Sequence, residues 1–175
     1  DRRDIAGDIQ GFQIRLDDES NPKRKYRWFS SRYERNGSRS YSWLHLTGNR
    51  ASKRVFLTEG GLKGDVASYL DEDALFLCIS GINALGGLKT ALIELQPEEL
   101  IVTLDMDKVY NANVQAAVEK IREIAGQLPN LRLRIPNWNP AFKGIDDYYH
   151  AKKLQGFRPM RHPKNQTVLY LEQVW

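Results

Sequence analysis

Apolar and polar positions divide the chain into two regimes. Beyond residue 53, short apolar runs alternate with helix-length amphipathic segments. Arg54-Val55-Phe56-Leu57-Thr58, Ala74 to Ile79, Leu100-Ile101-Val102-Thr103-Leu104 and Leu131 to Ile135 read as four strands. Gly64 to Leu70, Leu88 to Leu95 (stopped near Pro97) and Asn113 to Gln127 read as helices between them. The last is the strongest, because Val114, Ala117, Val118, Ile121, Ile124 and Ala125 recur on one stripe and Leu128-Pro129-Asn130 follows. This alternation predicts an α/β fold, a parallel sheet of about four strands covered on both faces. Such sheets bind ligands beyond the carboxyl ends of their strands.

The first fifty residues follow a different rule. Ile9 to Leu16 alternates as a strand does, Asp17 to Pro22 is turn-forming, and Lys25 to Ser30 reads as a second strand. Arg32 to Tyr41 is polar and contains Asn36-Gly37, the mark of a loop, and Trp43 to Leu46 reads as a third short strand. The expected organisation is a small basic β-rich unit over 1–50, an α/β domain over 51–150 and an extension over 151–175. In that extension Thr167 to Leu171 reads as a strand without functional signal.

Composition sets outer bounds. With 41% hydrophobic residues in 175, the chain can build a core, which excludes wholesale disorder. The longest apolar runs are strand-sized, far short of the roughly 20 residues needed to cross a bilayer. No basic-then-apolar leader is visible, so a cytoplasmic location without membrane partners is expected. The chain opens on Asp1 rather than Met, which suggests a piece of a larger protein. Its single cysteine, Cys78, excludes an internal disulfide or a Cys-based zinc site and reads as a core residue. His45, His150 and His162 are scattered and form no nucleophile–base arrangement.

The net charge of +4 conceals an asymmetry. Residues 1–54 carry 13 Lys and Arg against 7 Asp and Glu, whereas 55–175 carry 13 against 15. Between Ser20 and Arg54 there are 10 bases and one acid, Glu34, interleaved with Tyr26, Trp28, Phe29, Tyr33, Tyr41 and Trp43. Bases among aromatics suit a surface that neutralises phosphates and stacks on nucleobases. The alternative is a solvated basic face over a small aromatic core.

Acids mark the strand ends. The first apolar strand closes on Thr58-Glu59-Gly60-Gly61 and the third on Leu104-Asp105-Met106-Asp107. If those strands are neighbours, three carboxylates converge at one rim. Asp105 and Asp107 lie two residues apart and on an extended chain face the same side. Clustered carboxylates repel one another, and a hard divalent cation relieves that repulsion. Lys143-Gly144-Ile145-Asp146-Asp147 adds two acids after the last strand. Any one of these acids read alone is equally a helix cap or a surface residue. The stretch Ser80-Gly81-Ile82-Asn83-Ala84-Leu85-Gly86-Gly87 falls on the same rim, either as a close backbone approach to phosphate or as an ordinary βα turn. Trp138, among Pro136, Asn137, Asn139 and Pro140, reads as a cover for the rim or as an indole packed on the sheet edge.

Taken in order, Glu59-Gly60, Gly81 to Gly87, Asp105-Met106-Asp107 and Lys143 to Asp147 resemble the Toprim domain of bacterial-type primases, topoisomerases and some nucleases. The primase branch and its phage- and plasmid-borne relatives are the most similar. Upstream, Ile9-Gln10-Gly11-Phe12-Gln13-Ile14-Arg15 followed by Lys25-Tyr26 resembles the basic subdomain that precedes Toprim in primases. The resemblance covers roughly residues 5–150. It implies a Toprim fold, Rossmann-like, behind a small basic antiparallel β subdomain. It also implies catalytic roles for Glu59, Asp105 and Asp107, and metal binding by Glu59, Asp105, Asp107 and Asp146. Phosphate binding would fall to Arg15, Lys25, Arg27 and Lys63. Asp147 is a further candidate, as is Asp65, although Gly60 to Gly64 is a longer spacer before Asp65 than bacterial primases have. The basic subdomain is shorter than a full primase one and no zinc-binding cysteines precede it.

The activity so implied is DNA-primase-like nucleotidyl transfer in DNA replication on a mobile genetic element, a DNA-directed RNA polymerase reaction. Its cofactors would be Mg²⁺ or Mn²⁺, two ions in all. Its partners would be a single-stranded DNA template, nucleoside triphosphates and a helicase of the parent protein or replisome. A metal-dependent nuclease or nickase is one rival, and a non-catalytic nucleic-acid-binding module of a replication protein is another. A relaxing topoisomerase would need a nucleophilic tyrosine in a separate domain, and Tyr148 and Tyr149 read instead as helix-packing residues.

Overall fold

The computed structural model describes residues 2–16, 26–106 and 111–154. Lys25, Asp107, His162, the turn expected at 17–22 and the strand expected at 167–171 lie outside the described residues.

The single strand expected over Ile9 to Leu16 is divided at Phe12. Its first half, β2 (Ile9–Gly11), pairs antiparallel with β1 (Arg2–Arg3). Its second half, β3 (Gln13–Arg15), pairs antiparallel with β4 (Tyr26–Trp28), setting Arg15 opposite Tyr26. These two ribbons bury little: Ile9, Phe12, Ile14 and Tyr26 remain exposed. The third expected strand is displaced to β5 (His45–Gly48) and hydrogen-bonds antiparallel to a strand of the main sheet, so the end of the 1–50 region supplies an edge strand to that sheet.

That sheet contains five strands. β6 (Arg54–Glu59), β7 (Leu75–Ile79), β8 (Glu99–Val102) and β9 (Arg132–Arg134) are mutually parallel, and the order across the sheet is β5-β7-β6-β8-β9. The fold is therefore α/β with a mixed sheet, with four parallel strands where the pattern predicts them. Every residue of β7 is buried, as a strand covered on both faces requires.

Alternation within the strands feeds two cores. Val55, Leu57, Leu77, Leu100 and Val102 face α2 (Leu88–Leu95) and α3 (Ala112–Gly126). Phe56, Phe76, Cys78 and Ile101 face the other way, toward α1 (Gly61–Leu70) and α4 (Ile145–Leu154). The α3 stripe is buried as its spacing requires, and the Asn111 side chain caps its start by accepting from the Asn113 N–H at 3.0 Å. Helix α2 ends where Gln96 adopts a left-handed conformation, φ 46°, before Pro97. Trp138 is an interior residue, 1% exposed. It packs beside Tyr148 and donates its indole N–H to the Phe142 carbonyl at 2.7 Å, so the indole is a core residue while Asn137, Asn139 and Pro140 around it are exposed. Among the described residues no helix is long and apolar enough to cross a membrane.

Helix α1 begins three residues earlier than its pattern predicts. Gly60 turns the chain with φ 88°, a conformation that disfavours any side chain. Gly64 then lets the helix lie directly on β7, since a methyl group there would come 2.1 Å from the Cys78 sulfur. Glycine is thus used twice, first to turn the chain and then to bring α1 onto the sheet, and both uses fix the position of Lys63 relative to the strand ends.

Candidate active site at the carboxyl ends of the parallel strands

Strands β6 and β8 are neighbours in register, with Leu57 opposite Val102 and the Thr103 N–H donating to the Leu57 carbonyl at 2.8 Å. Their carboxyl ends, and with them Glu59 and Asp105, emerge at one rim. Thr58 and Thr103 lace this end together, each hydroxyl donating across to the other strand's backbone carbonyl.

A cleft of about 500 Å³ opens there. Its walls come from the rim (Glu59, Ser80), from α1 (Lys63, Asp65), from the start of α4 (Asp146) and from the β3–β4 ribbon, through Gln13, Arg15 and Tyr26. Two candidate phosphate-binding cations, Arg15 and Lys63, thus line the same space as two candidate metal-binding carboxylates, Glu59 and Asp146. Arg27 lies exposed on β4, outside the lining of this cleft. A second cavity, about 520 Å³, lies between the 41–46 segment and α2, with mostly apolar walls that include Ile5, Trp43, Leu44 and Leu77.

Asp105 is only 7% exposed. Its charge is met from two directions: Lys63 Nζ bonds Oδ1, and Lys143 Nζ lies 3.4 Å from Oδ2. The segment carrying Lys143 is tied to the strand end by the Met106 N–H, which donates to the Lys143 carbonyl at 2.9 Å. One residue on, a Cβ at Gly144 would fall 2.3 Å from Asp146 Oδ1, so that the Asp146 side chain would have to shift, and 3.4 Å from the Lys63 methylenes. Among the described residues Asp146 Oδ1 is buried without a hydrogen-bond partner. Burial, followed by the charge of Asp147, raises the Asp146 pKa above the usual carboxylate value, while the charge of Lys63 acts in the opposite sense.

The two remaining acidic candidates have structural partners. Asp147 Oδ2 accepts from the Gly144 N–H at 3.3 Å in the first turn of α4. Asp65 Oδ1 lies 2.8 Å from His45 Nε2, while His45 Nδ1 accepts from the Arg3 N–H at 3.0 Å. Because Nδ1 is the acceptor, the proton on the neutral ring belongs to Nε2 and is donated to Asp65. Ser80 lies on the rim where the sequence pattern puts it, whereas the pattern does not reveal this buried histidine's partner, Lys143 as the second cation on Asp105, or Tyr26 as a cleft residue. Only the topology brings them together.

The donor chemistry fits a hard divalent cation in part. Asp105 and Asp146 are oxygen donors joined through Lys63, and the partnerless oxygen of Asp146 is the kind of lone pair an ion would satisfy. Among the described residues, however, no three His, Cys, Asp or Glu side chains stand close enough together to hold a metal ion. A complete cage would draw on Glu59 across the cleft and on Asp107. No family model, no curated protein and no solved structure matches the chain.

Proposed function

We propose that the chain is the catalytic core of a Toprim-type, primase-like nucleotidyltransferase that synthesises a primer on a single-stranded DNA template. One observation carries this reading. The cleft at the carboxyl ends of neighbouring parallel strands is lined at once by carboxylates (Glu59, Asp146) and by cations from a separate basic ribbon and from α1 (Arg15, Lys63), with Asp105 buried beside it. Carboxylates alone would repel a polyanion and cations alone would merely bind one; phosphoryl transfer uses both.

In this reading Glu59, Asp105, Asp107 and Asp146 hold Mg²⁺ or Mn²⁺. The bound ions would lower the pKa of the attacking 3′-hydroxyl and offset charge on the leaving pyrophosphate. Arg15 binds phosphate from the ribbon side, Arg27 on β4 extends the basic surface, and Lys25 keeps the phosphate-binding role that the resemblance implies. Tyr26, opposite Arg15 and exposed, offers a ring on which a base can stack.

Incubation with single-stranded template, labelled nucleotides and Mn²⁺ tests the proposal. Template-dependent extension that is lost in Asp105→Asn is the expected result. Shortening of the template would replace it with a nuclease, and a mobility shift without either product would replace it with a binding module. Extension by Asp105→Asn at the wild-type rate would overturn the residue assignment.

A further inference from the structure

We infer that Lys63 is a tethered counter-cation, seated on Asp105 where a divalent ion would sit and released from it when such an ion binds. The inference rests on the metal-dependent reading above and adds a role for a residue first considered only as a phosphate binder.

The charge of Asp105 cannot be left to solvent at 7% exposure. Both of its oxygens are engaged by ammonium groups, Oδ1 by Lys63 and Oδ2 by Lys143 at 3.4 Å. A carboxylate that ligates a metal offers those same lone pairs, so Lys63 and an ion compete for Oδ1. The Lys63 methylenes run past Gly144, where a Cβ would lie 3.4 Å from them and 2.3 Å from Asp146 Oδ1. Across that gap Asp146 Oδ1 is buried without a hydrogen-bond partner among the described residues. One carboxylate therefore has both oxygens engaged by ammonium groups, while its neighbour, which feels the Lys63 charge, has a buried oxygen without a hydrogen-bond partner among the described residues.

Exchange needs no movement of the strands. Lys63 lies in the first turn of α1 on a flexible four-carbon stem, and rotation about that stem withdraws the ammonium from Asp105. The cleft into which it swings is the one Arg15 also lines, so the displaced charge stays beside any bound phosphate. The device protects the buried carboxylate when no ion is present and adds a cation to the phosphate side when one is.

The test is Mn²⁺ binding to the full chain, read by electron paramagnetic resonance of the unbound ion. Lys63→Met is expected to bind Mn²⁺ about tenfold more tightly than wild type, because the ion no longer displaces a charge-assisted bond. Lys63→Arg, which keeps the charge and can grip the carboxylate with two N–H groups, is expected to bind no more tightly than wild type. Arg15→Gln removes a cation of the same cleft that has no part in the exchange, and should gain far less than Lys63→Met. Equal affinity of wild type and Lys63→Met would overturn the inference while leaving the metal-dependent reading in place. An equal gain in Arg15→Gln would reduce the effect to a diffuse field and overturn it as well. Absence of Mn²⁺ binding in every variant would overturn both. Thermal melts supply a second readout: Lys63→Met should melt below wild type in chelator, and saturating Mn²⁺ should close that gap. A gap that Mn²⁺ leaves unchanged would also overturn the inference.

Discussion

Gly64 and Cys78 are packed so closely that neither helix α1 nor strand β7 has room for one more methyl group between them; a Cβ on Gly64 would come 2.1 Å from the sulfur. The next neighbours, Thr47 Cγ2 at 3.4 Å and Phe76 Cβ at 3.5 Å, are at ordinary contact distance. Gly64→Ala is therefore expected to destabilise the fold by about 1–3 kcal/mol through overpacking. In a Cys78→Ala background the obstruction is gone, and the same substitution should turn favourable by up to about 1 kcal/mol, the helix-propensity gain of alanine over glycine. Urea titrations of the four combinations measure this change of sign. The same destabilisation in both backgrounds would show that α1 does not rest on β7 in this way.

What the sequence reveals and what it hides follow from how local each determinant is. Strand β7 is legible because Leu75 to Ile79 is buried on both sides, so no alternation is needed to recognise it. Helix α2 matches its expected bounds because Gly87 and Pro97 frame it. The first turn of α1 is obscured by Gly60 and Gly61, whose role is a turn and whose propensity argues against a helix. The break at Phe12 is invisible because the alternation from Ile9 to Leu16 is uninterrupted, and the change of partner is a tertiary choice. At the site, strand order alone predicts that Glu59 and Asp105 share a rim. The Lys63–Asp105 and His45–Asp65 pairs, 42 and 20 residues apart, leave no periodic trace.

Asp65 illustrates the point, since its place in the sequence makes it a further candidate site acid and its partner suggests a structural role. Held by the buried His45, it positions β5 against α1. Asp65→Asn keeps an oxygen to accept from Nε2, and is expected to hold its stability within about 0.5 kcal/mol and its nucleotidyl transfer within a few-fold. His45→Phe should cost about 1–3 kcal/mol, mostly by leaving the Arg3 N–H without its acceptor. Denaturant melts and extension rates measured on the same preparations check both. A loss of activity in Asp65→Asn as deep as that of Asp105→Asn would place Asp65 among the acids that act on the reaction.

A second polar pair, Asp71 and Tyr149, contributes to the pH response of the fold alongside Asp146. Burial raises the Asp71 carboxyl above its ordinary 3.8, against the lowering effects of a backbone hydrogen bond, the Tyr149 hydroxyl and the charge of Arg54. Burial, and then Asp71 itself, drives Tyr149 well above its ordinary 10.0. Both groups hold a proton more tightly in the folded state. The stability that each contributes is therefore complete below its ordinary value and is lost as pH rises through its folded value. Melting temperature should fall as pH climbs from about 4 through the Asp71 transition, and fall again above about 10. Asp71→Asn should flatten the first decline, and Tyr149→Phe should remove its share of the second while steepening the first. Thermal melts from pH 3 to 11 would refute the pairing if Tyr149→Phe left both limbs unchanged.

Under the proposed function, substitution of Arg15 should separate template binding from chemistry. Arg15 stands on β3 opposite Tyr26, exposed, on the wall of the cleft that the basic ribbon provides. A guanidinium that meets phosphate there should contribute uniform binding, equal in ground and transition states, whereas carboxylates that act on the reacting groups should affect turnover. Arg15→Ala is therefore expected to raise KM for the template severalfold with kcat little changed. It should also reduce the slope of log affinity against log salt by about one, the signature of one lost phosphate contact. Asp146→Asn should show the opposite pattern, with kcat lowered about a hundredfold or more and the salt slope kept. Steady-state kinetics and fluorescence anisotropy across a salt series distinguish the two patterns. If Arg15→Ala lowered kcat and left the salt slope intact, the ribbon would belong to the reacting centre, and the template would have to run along another face.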